Sequence, residues 1–182
     1  MIQLKTLNMK NWILLSSVCL TLSLSFQSCS KDDDDYPMDN QSFVTQASSS
    51  NNFEVAAGAI AQTKGVRAEV KKYGEHMVMD HGSVGAEMIN LAKTKGWSIP
   101  ASLQAKEQAN LDRLIASSSG NFDKEFAAIM VASHKDAIDL FTTASGKDGV
   151  RDADLRTFAA GKLPSLTAHL ADATILQAAV GQ

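Results

Sequence analysis

The sequence predicts an all-α protein, an up-down four-helix bundle with an extra short helix between helices two and three. Three observations carry this. Hydrophobic residues make up 45% of the 182 residues but aromatics only 6%, which suits an aliphatic, alanine-rich core. Only three prolines interrupt the chain, and runs of alternating Val, Ile, Thr or Tyr are missing. The long segments instead repeat apolar residues at three-and-four spacing: Val70, Tyr73, Met77, His81, Val84, Met88 and Leu91 form one stripe.

The first forty residues read as an address. Trp12 to Phe26 is an apolar run of fifteen residues behind Lys10, too short to span a bilayer and followed by small residues up to Cys29. Residues 1–28 are therefore expected to be a signal peptide, and Met9-Lys10-Asn11 makes a more usual start for it than the residues before. Ser28-Cys29-Ser30 resembles the cleavage site of a bacterial lipoprotein, with Cys29 acylated as the first mature residue. Phe26 and Gln27 depart from the usual residues before that cysteine. The following Lys31 and Asp32 to Asp35 resemble the short acidic signal of surface-exposed lipoproteins of the Bacteroidetes type, or act simply as a solvated tether. The expectation is a lipid-anchored envelope protein of the outer membrane, on the periplasmic or the exposed side, with residues 29–39 as leash and 40–182 as the bundle. Its membrane partner would be reached through Cys29.

Charge and cysteines narrow the classes further. Losing Lys5 and Lys10 with the signal takes the net charge from −3 to about −5, so nothing suggests nucleic acid. Both cysteines, Cys19 and Cys29, precede the bundle, which leaves it no disulfide and no thiolate metal site.

Within the bundle, Asp39 or Asn40 can cap a first helix carrying Phe43, Val44 and Ala47. The run Ser48-Ser49-Ser50-Asn51-Asn52 is expected to break or kink it before a second part, Phe53 to Lys64, ends at Gly65. Glu54 shares a face with Ala57, Gly58 and Ala61, small residues that let another helix come close. Helix two is expected from Val66 to Lys95 with Gly96 as its stop. Ser102 can cap a short helix over 103–116. Asn121 can cap helix three, with Asp123 and Glu125 in its first turn and Phe126, Ile129, Met130, His134, Ala137, Ile138 and Phe141 on its buried face. The chain turns helical again after Gly149 as far as Ala160. Pro164 is expected to make a kink or a fresh start before Leu166, His169, Ala173 and Leu176. Gly65-Val66-Arg67 and Gly149-Val150-Arg151 each lead into a segment carrying a stripe histidine, an echo suited to two helical hairpins of the ferritin type.

His76, with Lys72 and Asp80 one turn to either side, reads as a surface residue. His81, His134 and His169 differ, because each falls on the apolar stripe of a different long helix. Taken singly, each reads as a core histidine satisfied by a carbonyl or carboxylate. Together, with Glu54 from the first helix, they make a candidate metal site. Val78 and Leu166 stand where a dinuclear iron bundle needs Glu three residues before His. A single Zn²⁺, Cu²⁺ or Fe²⁺ ion suits the remaining donors. Asp80 would hold a ring nitrogen of a ligand, or is a surface acid beside His76. Met77 and Met130 are read first as core filler, although their thioethers would favour copper.

Met77-x-x-Asp80-His81, His134 after Phe122-Asp123, and Leu163-Pro164-x-Leu166-x-x-His169 resemble the ferritin-like bacterial envelope proteins grouped as a domain of unknown function and often labelled predicted outer membrane protein. The resemblance covers about Gln41 to Ala179, and Glu54 fits that family's first-helix glutamate; His76 and Gly85 depart from it. It implies an up-down bundle with an envelope address and no established activity. The expected function is metal handling or stress protection through a mononuclear site, with no catalytic residue and no organic cofactor assigned. The alternative is a structural or partner-binding envelope module whose histidines form a buried polar network. An enzyme comes third, since no nucleophile-base pair or cofactor loop is visible.

Overall fold

The computed structural model describes residues 36–181. The expected signal peptide, Cys29 and most of the acidic leash lie outside them. The described residues form α1 (Asn40–Lys64), α2 (Ala68–Lys95), α3 (Ala105–Ala116), α4 (Ser119–Ser145) and α5 (Ala153–Val180), with no strand among them. The four long helices are the expected bundle, and α3 is the extra short helix between the second and third of them.

Each pair, α1 with α2 and α4 with α5, is a hairpin. Gln41 at the start of α1 exchanges two hydrogen bonds with Ser98 just beyond the end of α2. Asn40 Oδ1 accepts from Asp152 N at the start of α5 (3.0 Å), while Lys95 at the end of α2 pairs with Asp152 and Asp154. At the opposite end Asp123, early in α4, accepts from Val66 N and Arg67 N, both at 2.9 Å. The up-down order therefore holds within each hairpin, but α2 and α4 run the same way, and the chain crosses between the hairpins through α3.

Several local expectations change once the helices pack. α1 is continuous through the Ser48–Asn52 run. Ser49 and Asn51 do not compete for their own backbone, because they have partners elsewhere. Ser49 Oγ accepts from Gln104 N (2.7 Å) and donates to Glu107, and Asn51 meets His81. α5 likewise passes through Pro164 unbroken. The proline leaves one carbonyl without its helical donor, but Leu155 and Ala159 before it and Leu166 and Ala173 after it are all buried. The N-caps also move, to Gln104 for α3 and Ser118 for α4 in place of Ser102 and Asn121. Asp123 serves the two amides just before α2 rather than its own helix. The last carbonyls of α3 are taken by Lys64 Nζ, which donates to Leu114, Ile115 and Ser117.

α1 and α2 touch backbone to backbone. A Cβ on Gly58 would stand 2.5 Å from the Gly74 carbonyl oxygen, and one on Gly74 2.6 Å from that of Gly58. Only glycine fits both positions, and the crossing lies one turn from Glu54 and two turns from His81.

The core divides into two apolar clusters. One contains Phe53, Val70, Met77, Phe122, Phe126, Met130 and Ala173; the other contains Phe43, Val44, Met88, Ala137, Phe141, Leu155 and Leu166. Apart from Asp123 at one end, buried polar residues on all four long helices fall between the two, among them Asn51 and Glu54, His81, Ser133 and His134, and His169. That layer is where the chemistry sits.

Candidate metal centre

His81 comes from α2, His134 from α4 and His169 from α5, and all three are buried. Their ring centroids stand 5.4–5.7 Å apart in every pairing. One ligand atom from each lies within 4.8 Å of the others. The stripes that placed these histidines on three inward faces thus bring them to one point.

Their hydrogen bonds decide the protonation of each ring. His134 Nδ1 meets the Met130 carbonyl oxygen at 2.9 Å, an acceptor only, so this nitrogen carries the proton. His169 Nε2 meets Asp80 Oδ2 at 3.0 Å, and the carboxylate makes it the donor. His81 Nδ1 meets Asn51 Oδ1 at 3.3 Å. The nitrogens left over, His81 Nε2, His134 Nε2 and His169 Nδ1, are buried with no hydrogen-bond partner. In neutral rings these are lone-pair nitrogens. Burial also keeps the rings neutral: desolvation, reinforced by the neighbouring histidines, brings His81 down to about 3, and desolvation holds His134 and His169 below the usual range. Three unpartnered imidazole lone pairs at one buried point are a donor set for a cation, and one N–H per ring is already fixed by an oxygen acceptor, as in histidine metal sites. The residues present fit a single transition-metal ion.

Glu54 stands beside this group and not within it. Its carboxyl accepts from Ser133 Oγ, and Oε1 lies 3.7 Å from His134 Nδ1, the nitrogen bonded to Met130. Complete burial raises it to about 8, so it holds a proton at neutral pH. Tyr73 braces the layer from one side: its hydroxyl donates to the His169 carbonyl (3.1 Å). Met77 and Met130 belong to the apolar cluster, as core filler should.

Three residues mattered more than their local sequence suggests. Asn51 lay in a run expected to break the helix, and it orients His81. Gly85 makes room for it, since a Cβ there would stand 2.8 Å from Asn51 Nδ2. His76, read as surface, is half-exposed, but its Nε2 lies 3.0 Å from Asp80 and its ring 5.2 Å from that of His169. The Asp80 spacing to His76 was visible; the approach of His169 from α5 was not.

A pocket open to water-sized molecules over about 90 Å³ reaches this layer from the surface, lined by Asn51, Glu54, Asp80 and the three histidines among mainly apolar neighbours. It admits a hydrated ion or a few waters, not a large organic substrate. No helix of the described residues is long and apolar enough to cross a membrane.

Comparison with known proteins places the chain. A family model described as "Domain of unknown function (DUF4142)" matches residues 27–176, and the chain belongs to that family. No curated protein sequence matches it. A solved structure, "CopM in the Cu(II)-bound form", is similar with a TM-score of 0.64 at 18% identity, over 77% of this chain and 96% of that one. At that identity the likeness is one of fold.

Proposed function

We propose that this member of the family is an envelope-anchored metal-handling protein that holds a single Cu²⁺ ion through His81, His134 and His169. One observation carries the reading: among the described residues, the three buried side-chain nitrogens without partners all belong to these rings. Among divalent first-row ions, Cu²⁺ has the highest general affinity for imidazole donors, and a protein of similar fold has been solved with Cu(II) bound. Asp80, Asn51 and the Met130 carbonyl orient the rings. Glu54, protonated and bonded to Ser133, keeps a neutral wall behind His134 and stands ready as a fourth donor once it gives up its proton. The bound ion would supply a Lewis-acidic or redox-active centre, and storage or protection is the use proposed for it.

The two hairpins joined by one long crossover match the way ferritin-like bundles are connected, which supports that part of the reading. The envelope address rests on the Trp12–Phe26 run and Cys29. Mass spectrometry of the processed amino terminus reads that part: an unacylated chain starting elsewhere than Cys29 overturns it.

The metal is tested on full-length chain made without a histidine tag, in detergent, with Cys19→Ser and Cys29→Ser so that no thiol competes. After loading with Cu²⁺ and desalting, elemental analysis should find one equivalent, and none in the His81→Ala/His134→Ala variant. At an ion concentration about a hundredfold above Kd, binding adds roughly 2.7 kcal/mol, a rise in Tm of about 5–10 °C. A wild-type chain that retains no stoichiometric metal sinks the proposal.

A further inference from the structure

Behind the buried trio lies a second group of donors. Asp80 Oδ2 sits 3.0 Å from His76 Nε2 and 3.0 Å from His169 Nε2, and one ligand atom from each of the three residues falls within 4.8 Å of the others. Ligands about 2.0–2.2 Å from one ion are separated by roughly 3–3.5 Å, so this spacing already suits a shared cation. The group differs from the trio in exposure. The side chains of His76 and Asp80 are 45% and 41% exposed, whereas that of His169 is 6% exposed. His169 belongs to both groups through opposite faces of its ring: Nε2 faces Asp80, and Nδ1 is the buried nitrogen without a partner.

The surroundings give the outer group an approach of its own. His76 also lines an open groove of about 490 Å³, together with Glu69, Lys72, Glu75 and Asp172. Three acids against one lysine favour cations there. The pocket that reaches the trio is as apolar as the groove, but Lys162 stands there against Asp80 and a buried Glu54, so the groove has the larger acidic excess. Asp80 lines that inner pocket while His76 lines the groove, so the pair joins the two spaces.

We propose that His76, Asp80 and His169 Nε2 form an outer, half-exposed site that captures a divalent copper ion from the groove and passes it to the buried trio through the shared His169. The hand-off rests on the trio being a metal site; the outer site itself does not. In the unloaded protein, His76 Nε2–H and His169 Nε2–H both point at the Asp80 carboxylate. An ion in the outer site takes the place of these two protons, and that of His169 moves to Nδ1 of the same ring. When the ion reaches the trio, His169 Nδ1 gives up its proton, Nε2 regains one, and His76 recovers the proton it released. His169 gains and loses no net proton, and its neutral ring serves one site at a time. The wild type therefore holds one ion tightly, never two.

The test uses the full-length Cys19→Ser/Cys29→Ser chain and Cu²⁺ supplied as its glycine complex. In the His81→Ala/His134→Ala background one weaker equivalent should still bind by calorimetry, and adding His76→Ala should abolish it. In the otherwise intact chain, His76→Ala should leave the final stoichiometry at one but slow Cu²⁺ association about tenfold in stopped flow. The single variant changes a half-exposed side chain, so the kinetic arm stands even where the double variant fails to fold. Tight binding by the wild type with no His76-dependent equivalent and an unchanged association rate overturns the outer site and leaves the trio intact. A His76-dependent equivalent in the double variant, with no tight equivalent in the wild type, does the reverse.

Discussion

On either side of the polar layer the four long helices bury Phe43, Phe53, Phe122, Phe126, Leu155 and their neighbours; within it they bury three histidines, a glutamic acid, an asparagine and serines. The apolar halves gain from burial in proportion to the area removed from water. The layer between them loses, because three ring nitrogens, one glutamate oxygen and Ser48 Oγ are desolvated with no partner. The same helices thus carry two opposite contributions, a contrast that supports the proposal that the layer is kept for an ion. The close Gly58–Gly74 crossing, with no side chain between the helices, lets such a layer sit in a bundle that is tight on both sides of it.

The largest effect should come from breaking an apolar half. Phe43 is fully buried and meets Phe141 edge-on at 5.1 Å between centroids. Phe43→Ala should cost about 3–5 kcal/mol in urea unfolding. The Cu²⁺-induced rise in Tm should survive, since Phe43 does not line the pocket shared by the three histidines. Loss of metal binding together with stability would mean that halves and layer are not separable.

Titration separates them next. The buried histidines take protons less readily than an unfolded chain does, with His81 brought from 6.5 to about 3. Below about pH 6.5 the unfolded state therefore binds more protons, and stability falls with falling pH. Glu54 acts in the opposite sense: raised from 4.5 to about 8, it holds a proton in the fold that the unfolded chain releases, so stability is lost as pH rises towards 8. Between about 4.5 and 6.5 three histidines outweigh one glutamate. The metal-free chain should be most stable near pH 6.5, losing on the order of 2 kcal/mol by pH 8. Glu54→Gln keeps the acceptor for Ser133 and should flatten that alkaline limb in melting curves recorded across pH. An unchanged limb in the variant would assign the loss elsewhere.

Much of this arrangement was legible in the chain, for a definable reason. Helix stripes repeat every three to four residues, so the inward faces of α2, α4 and α5 could be read with their histidines in place. Reading the register between helices was another matter. The Ser48–Asn52 run looked like a break because its partners, the Gln104 amide, Glu107 and His81, are remote in sequence. Pro164 looked like a kink or a start for the same reason: the burial that carries α5 unbroken through it comes from other helices. Asp123 looked like part of its own helix start, yet it serves the two amides just before α2. The pairing of His76 with Asp80 was visible at i and i+4, but the third side of that group arrives from a helix ninety residues away.

The smallest effect is also the one that sharpens the comparison most. His134 gives the layer one hydrogen bond, to a Met130 carbonyl on its own helix, and one buried nitrogen with nothing to bond. His134→Leu replaces it with an apolar side chain of similar volume. The lost bond leaves a carbonyl that sits within α4, and the unpartnered nitrogen disappears with the ring. Exchanging a half-satisfied polar group for an apolar one is close to neutral, so the metal-free variant should unfold within about 1 kcal/mol of the wild type. The Cu²⁺-induced rise in Tm, however, should vanish, because two imidazoles remain where three converged. A destabilisation of about 3 kcal/mol or more would mean that His134 holds the fold together as part of a polar network. Near-neutral stability with no response to metal would mean instead that this ring is there for the ion.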